Sequence, residues 1–363
     1  MVQIESLNIQ NFRGFDNLDI QGFSNINVLL GKNNCGKTSV LEAIFLLSGI
    51  SNPSLSLNIN LMRGIPVSKA TLKYIFHNLE TANRPSISGI FAQGSTRKLE
   101  IIPAFEQNEV STKADTNAHN GSSSLSLIPA KELSGLDFSF TVKNAHYQTK
   151  KFKTGFRFEH NGIKQTLSTN YQEDIISSFL TPDSENADIG LADQLKSLFV
   201  ARKEHILNEL LNHLDPKIKG LYVLQDGLYI DKEGISERTP LRLMGGGVRR
   251  FLQIAATIAA NKEQHLICLI DEIENGLHHE SQQLMWQTLF SLSQSANIQL
   301  FITTHSLEML QSLTNVLKQN AYSAMRDSVK IFTIVNTQKE GYQSYVRSYD
   351  GLDLALENDM EIR

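Results

Sequence analysis

Cysteine is scarce in this chain of 363 residues, no apolar run is long, and neither sign of charge dominates. Each shortage removes a class of protein. Cys35 lies in a glycine-bounded loop and Cys268 in an apolar strand, neither with metal-ligand neighbours at useful spacing. A disulfide framework and a zinc centre are therefore excluded, and a reducing cytosol is the expected compartment. No apolar stretch approaches the roughly 20 residues that span a bilayer. Met1 to Ile20 alternates charged and apolar residues instead of forming a leader, so a cytoplasmic chain with no membrane partner is expected. The formal net charge of -4 excludes a broadly basic surface. Nucleic acid would have to meet a local patch or a groove between two copies. With 41% apolar and 20% charged residues, the chain has room for one large domain or two of ordinary size.

What is present concentrates first between Val28 and Phe45. Val28-Leu29-Leu30 ends a buried strand, Gly31-Lys32-Asn33-Asn34-Cys35-Gly36-Lys37-Thr38 follows, and Val40, Leu41, Ile44 and Phe45 recur at helical spacing. This is G-x-x-x-x-G-K-[ST] between a strand and a helix, the pattern of a phosphate-binding loop. Its glycines let the backbone curl until the N–H groups from Gly31 to Ser39, those of Asn33, Asn34 and Cys35 included, face phosphate oxygens. The following helix adds its positive end. Lys37 is expected to reach the β- and γ-phosphates, and the Thr38 hydroxyl to ligate Mg²⁺. The chain is expected to bind a nucleoside triphosphate.

The remaining elements follow from pattern. Residues 1–30 read as three strands, with a turn at Asn11 to Phe15 from which Arg13 either approaches the nucleotide or points to solvent. A helix is predicted around Leu72 to Leu79. Short alternating runs from Ile87 to Phe158 predict an antiparallel sheet, interrupted by a polar loop over Gln107 to Ser126. Residues 172–214 read as helical, with Lys196 to Lys203 as a modest basic stretch.

Downstream, Gly245-Gly246-Gly247 precedes a helix with Phe251, Leu252, Ala255 and Ile258 on one face. Such a glycine run serves equally as a plain turn or as a close approach of backbone amides to an anion. His265 to Ile270 is an apolar strand that delivers Asp271 and Glu272 at its end. Adjacent strand residues face opposite ways, so Asp271 is free to hold Mg²⁺ while Glu272 orients or deprotonates the attacking water. Gln299 to Thr304 is a further strand, ending in His305, a candidate contact to the γ-phosphate or that water.

In this order the motifs resemble the ATP-binding-cassette ATPase head shared by RecF, SMC and OLD-type proteins, the last most closely through Asp271 to His278 and Thr303 to Ser306. The resemblance covers residues 1–60 and 218–315. It implies an α/β P-loop NTPase of ABC-ATPase type, with a mixed central sheet, an antiparallel β-subdomain and an inserted helical segment. The core would be 1–60 with 218–363, and the insert 61–217. It implies ATP and Mg²⁺ as ligands and a homodimer in which Gly245 to Gly247 and Arg249 complete the partner's site, with Asn275 to His278 along the seam. It further implies a separate effector, a nuclease or toxin of a bacterial anti-phage system; a RecF- or SMC-like DNA-binding repair ATPase is the alternative. The usual signature serine is replaced by Met244 and Gly245, so slow turnover is expected. Gln93 is the nearest match to the family's magnesium-sensing glutamine. No nuclease site is read after His305, so any cleavage is expected from a separate chain.

Overall fold

A computed structural model describes residues 4–106, 132–144, 148–182, 187–225, 227–294, 297–337, 339–358 and 360. The polar loop expected over Gln107 to Ser126 lies outside the described residues. The chain opens with an antiparallel hairpin, β1 (Ile4–Phe12) and β2 (Phe15–Gln21). Next come β3 (Ile26–Leu30), α1 (Lys37–Ser48) and α2 (Leu55–Leu61). Where the spacing around Leu72 to Leu79 predicts a helix, two short 3-10 turns form instead, Lys69–Ile75 and His77–Leu79. Asn78 and Leu79 adopt φ of 54° and 62°, which no α-helix continues through.

The chain then lays down β4 (Ser86–Phe91), β5 (Ser95–Phe105), β6 (Leu133–Lys143), β7 (Thr149–Glu159) and β8 (Gly162–Thr166). These join the first hairpin in a seven-stranded antiparallel sheet of order β2-β1-β4-β5-β6-β7-β8. After β9 (Ile176–Leu180) come α3 (Ala187–Val200), α4 (Glu204–Leu214), and the small sheet β10 (Ile218–Leu224), β11 (Gly227–Lys232) and β12 (Thr239–Pro240). The remainder is α5 (Gly246–Ala260), β13 (Leu266–Ile270), α6 (His279–Gln294), β14 (Ile298–Thr303), α7 (Leu307–Lys318), β15 (Val329–Thr337), β16 (Gly341–Arg347) and α8 (Tyr349–Glu357).

The central sheet runs β16-β15-β3-β14-β13-β9, parallel except for the edge strand β16. Its inner strands β3, β13 and β14 are buried along their whole length and largely apolar because both faces are covered. Val28, Cys268, Ile270, Leu300 and Ile302 join the core beneath the helices from α3 onward. Leu29, Ile267, Leu269, Phe301 and Phe332 join a second core with α1 and the antiparallel sheet. The Gln299 side chain ties the two sheets together, accepting from the Ile4 amide and donating to its carbonyl, each at 2.8 Å. The result is the mixed α/β arrangement that the motifs imply.

One more element departs from the pattern reading. Within the stretch read as helical, Ile176–Leu180 is a strand, and it covers the β13 edge that delivers the acids. The polar tail beyond β16 forms α8, with Leu352 fully buried and Asp353 paired to Lys318 at 2.7 Å. Residues 61–217 thus contribute strands to both large sheets, and a cut at these boundaries would sever hydrogen-bonded neighbours in each. Among the described residues, no helix is long and apolar enough to cross a membrane.

Candidate active site

The loop from Gly31 to Thr38 leaves β3 and enters α1, and its shape depends on glycine at two points. Gly31 has φ of 145°, and a Cβ there would lie 2.5 Å from both the Cys35 Sγ and the Ile334 carbonyl oxygen. Gly36 has φ of 93° and passes beneath the Phe15 ring, where a Cβ would come within 2.3 Å. Any larger residue would push the loop off its support. Lys37 Nζ donates to the Gly31 carbonyl at 2.8 Å and to that of Lys32 at 3.1 Å, spanning the loop it is expected to serve. The Cys35 side chain packs into the second core and does not line the cavity, and its backbone amide donates to the Lys32 carbonyl at 3.3 Å.

A cavity of about 730 Å³ opens over this loop, within the range of small-molecule sites. Asn33, Asn34, Gly36, Lys37, Thr38 and Ser39 line one side, and Asp271, Glu272, Thr303 and His305 line the other. Residues more than 230 positions apart therefore meet, because β3 and β13 flank β14 in one parallel sheet and open at the same end. Thr38 Oγ1 donates to Asp271 Oδ2 at 2.9 Å, and Thr303 Oγ1 donates to Asp271 Oδ1 at 2.6 Å. The Thr303 hydroxyl in turn accepts from the Glu272 amide at 2.8 Å. Glu272 has φ of 48°, a conformation rare outside glycine, which turns the chain sharply at the strand end. A hydroxyl and carboxylate oxygens converge here, the donor set that hard divalent cations prefer.

Two arginines that enter the wall share one buried acid. Glu42 on α1 is 1% exposed and receives Arg13 at 3.0 and 3.2 Å and Arg63 at 2.6 and 3.1 Å. Arg63 also donates to Ser39 Oγ at 3.1 Å. One acid against two guanidinium groups leaves a positive charge beside the loop. Burial pushes the Arg13 guanidinium below its ordinary value, against the pull of Glu42. At Arg63 burial acts the same way, but the Glu42 hydrogen bond and charge, with Asp271 beyond, win and raise it. Arg13 is thus neither solvated nor alone.

A third arginine works from behind. Arg250 is 5% exposed and donates to the carbonyls of Thr181 at 3.0 Å, Leu180 at 3.4 Å and Asp271 at 2.6 Å. It clamps β9 to the strand that carries the acids. Arg250→Leu strips a charged donor from three carbonyls and is expected to cost about 3 kcal/mol of stability. Urea unfolding checks this, and an unchanged midpoint would contradict it.

The glycine run stands apart from the cavity. Gly245 caps α5, while Gly246 and Gly247 begin the helix against Gly276. A Cβ on Gly247 would lie 2.6 Å from the Gly276 carbonyl oxygen, so this packing needs glycine at 247. Neither Gly245 to Gly247 nor Arg249 lines the cavity, and Arg249 is exposed. Gln93 sits in the β4–β5 turn at φ of 63°, away from the cavity lining. Sequence reasoning missed Arg63, Glu42, Thr303 and Arg250. Of these, only Thr303 carried a signal, as the hydroxyl two residues before His305 at the end of β14.

Comparison with known proteins gives the same answer from another direction. The family model described as an AAA ATPase domain matches residues 2–310. An ATP/GTP phosphatase of Helicobacter pylori is 24% identical over 350 residues, covering 88% of this chain and 90% of that protein. A DNA replication and repair protein RecF of Nitrosococcus oceani is also 24% identical, over 84% of this chain and 92% of its own length. An Smc head bound to the C-winged helix domain of ScpA aligns over 95% of this chain and 98% of that one, at 12% identity and a TM-score of 0.49. With a phosphate-binding loop facing an Asp-Glu strand end across one cavity, and a family match over most of its length, this chain belongs to the AAA ATPase domain family and is an ATP-binding ATPase.

Proposed function

We propose that the cavity over Gly31 to Ser39 holds MgATP, and that ATP joins two copies of the chain. One observation carries the reading: Lys37, Thr38, Asp271, Glu272 and His305 converge on one cavity, while Gly245, Gly246 and Arg249 are exposed outside it. In this reading the backbone amides of the loop and Lys37 grip the phosphates, with Arg63 adding charge from the rim. Thr38 and Asp271 would hold Mg²⁺, which would supply charge neutralisation to the phosphates. Glu272 orients and deprotonates the attacking water, and His305 faces the γ-phosphate. Gly245 to Gly247 and Arg249 do not line the cavity of their own chain, and in this reading they complete the site of a second copy.

A chain that closes on ATP and opens on hydrolysis is suited to regulating something else. The output that the OLD-type resemblance suggests is a separate nuclease or toxin effector in an anti-phage module. The likeness to a RecF protein favours a second output, DNA. Lys150, Lys151 and Lys153 are exposed on β7, whereas Lys196 and Lys203 are each engaged by an acid, at 3.4 and 2.7 Å. With a non-hydrolysable ATP analogue and Mg²⁺, the chain is expected to elute from a sizing column at twice its monomer mass; a monomer at saturating analogue would contradict the composite site. Filter binding to duplex DNA across a salt series separates the outputs, because phosphate contacts weaken steeply with salt.

A further inference from the structure

We infer that Glu274 is a positioning residue for His305, an inference that rests on the ATPase reading of the cavity. Glu274 lies three residues past Asp271, in the turn that follows β13. Its Oε1 accepts the His305 backbone amide at 2.8 Å and faces His305 Nδ1 at 2.9 Å. One oxygen thus fixes both the main chain and the ring. An Nδ1–H donated to a carboxylate leaves Nε2 as the ring nitrogen turned to other partners, since the hydrogen bond of one imidazole nitrogen sets the role of the other. The His305 side chain is half exposed on the cavity wall, while Glu274 is 11% exposed.

The second oxygen sets this carboxylate apart from an ordinary solvated acid. Glu274 Oε2 is buried and has no hydrogen-bond partner among the described residues, a costly arrangement for a charged group. The neighbouring backbone shows what the contact joins. Ile273 N donates to the Thr303 carbonyl at 3.1 Å, Leu277 N donates to the Glu274 carbonyl at 2.9 Å, and Gly276 packs on Gly246 and Gly247. Glu274 therefore links the histidine on the cavity wall to the turn that supports Gly246 and Gly247. A histidine displaced by events at the γ-phosphate would pull on the surface where a second copy docks.

The test uses the full chain and two variants, Glu274→Ala and Glu274→Gln. Imidazole ¹⁵N shifts are recorded without nucleotide, with His305 assigned from the resonance lost in His305→Asn, and steady-state ATP hydrolysis is measured alongside. Glu274→Ala is expected to move His305 out of the Nδ1–H form and to lower kcat about tenfold, with KM for ATP within about twofold. Glu274→Gln retains an oxygen at the same reach, so it is expected to keep the Nδ1–H form and at least a third of kcat. An unchanged His305 tautomer in Glu274→Ala would overturn the proposal. So would equal loss of kcat in both variants in step with a lower melting temperature, the mark of a purely structural role. A wild-type chain without ATP hydrolysis, whose His305 still responds to Glu274→Ala, would overturn the reading of the cavity and leave the positioning contact supported.

Discussion

Glu272→Gln is expected to lower kcat for ATP hydrolysis by 100-fold or more while leaving KM within a few-fold and trapping an ATP-bound dimer. The magnitude is that of a positioned general base, which contributes about 10²–10⁴ in rate. Glutamine preserves the shape, so the grip on ATP survives and only the step that needs a proton acceptor fails. The geometry adds a reason to look at Glu272 rather than at Asp271 for this role. Asp271 is 6% exposed and both its oxygens already receive hydroxyl donors, from Thr38 and Thr303. Glu272 follows it in a left-handed conformation that swings it toward the cavity, and its amide is held by Thr303. A non-glycine residue kept in such a conformation is characteristic of functional sites. Steady-state kinetics and sizing chromatography with MgATP make the check; wild-type turnover would remove Glu272 from the chemistry.

Lys37→Ala is expected to weaken ATP binding at least 100-fold, about 2.7 kcal/mol, and to abolish measurable hydrolysis. Loss of folding is not the cause to expect. Among the described residues Lys37 Nζ makes two hydrogen bonds, both to carbonyls of its own loop, and the loop's shape is carried by Gly31 and Gly36 against Cys35, Ile334 and Phe15. The melting temperature without ligand should therefore stay near that of wild type. Fluorescence titration with a labelled ATP reports the affinity. Unchanged affinity would contradict the role given to Lys37, and a large fall in melting temperature would mean that the lysine supports the loop instead.

The parts of the site that were legible in sequence are those whose chemistry dictates residue type and spacing together. Gly31 to Thr38 is one continuous turn, and Asp271-Glu272 marks the end of an apolar strand. His305 closes the strand that follows. The sheet itself was legible in β3, β13 and β14 because strands buried on both faces read as short, mainly apolar runs. What stayed hidden depends on contacts across the fold. Glu42 looks like an ordinary helix residue until Arg13 and Arg63 arrive from two separate turns. Arg250 sits on a helix beside the exposed Arg249, and only the packing of β9 tells them apart. β9 escaped notice since five residues of mixed exposure carry too little pattern, and its pairing partner lies some 90 positions away. The helix expected near Leu72 to Leu79 failed for the opposite reason: helical spacing was there, but left-handed residues at 78 and 79 break the chain into turns.

Hydrogen exchange with and without MgATP bears most directly on the central claim that one cavity unites the loop at the start of the chain with the acids far downstream. The account predicts added protection of the amides from Gly31 to Ser39 together with those of Asp271 to Ile273 and His305. It predicts no direct effect in the separate pocket bounded by Lys196, Tyr229 and Arg242. Protection confined to that second pocket, or to the loop with no response at Asp271 and Glu272, would contradict it.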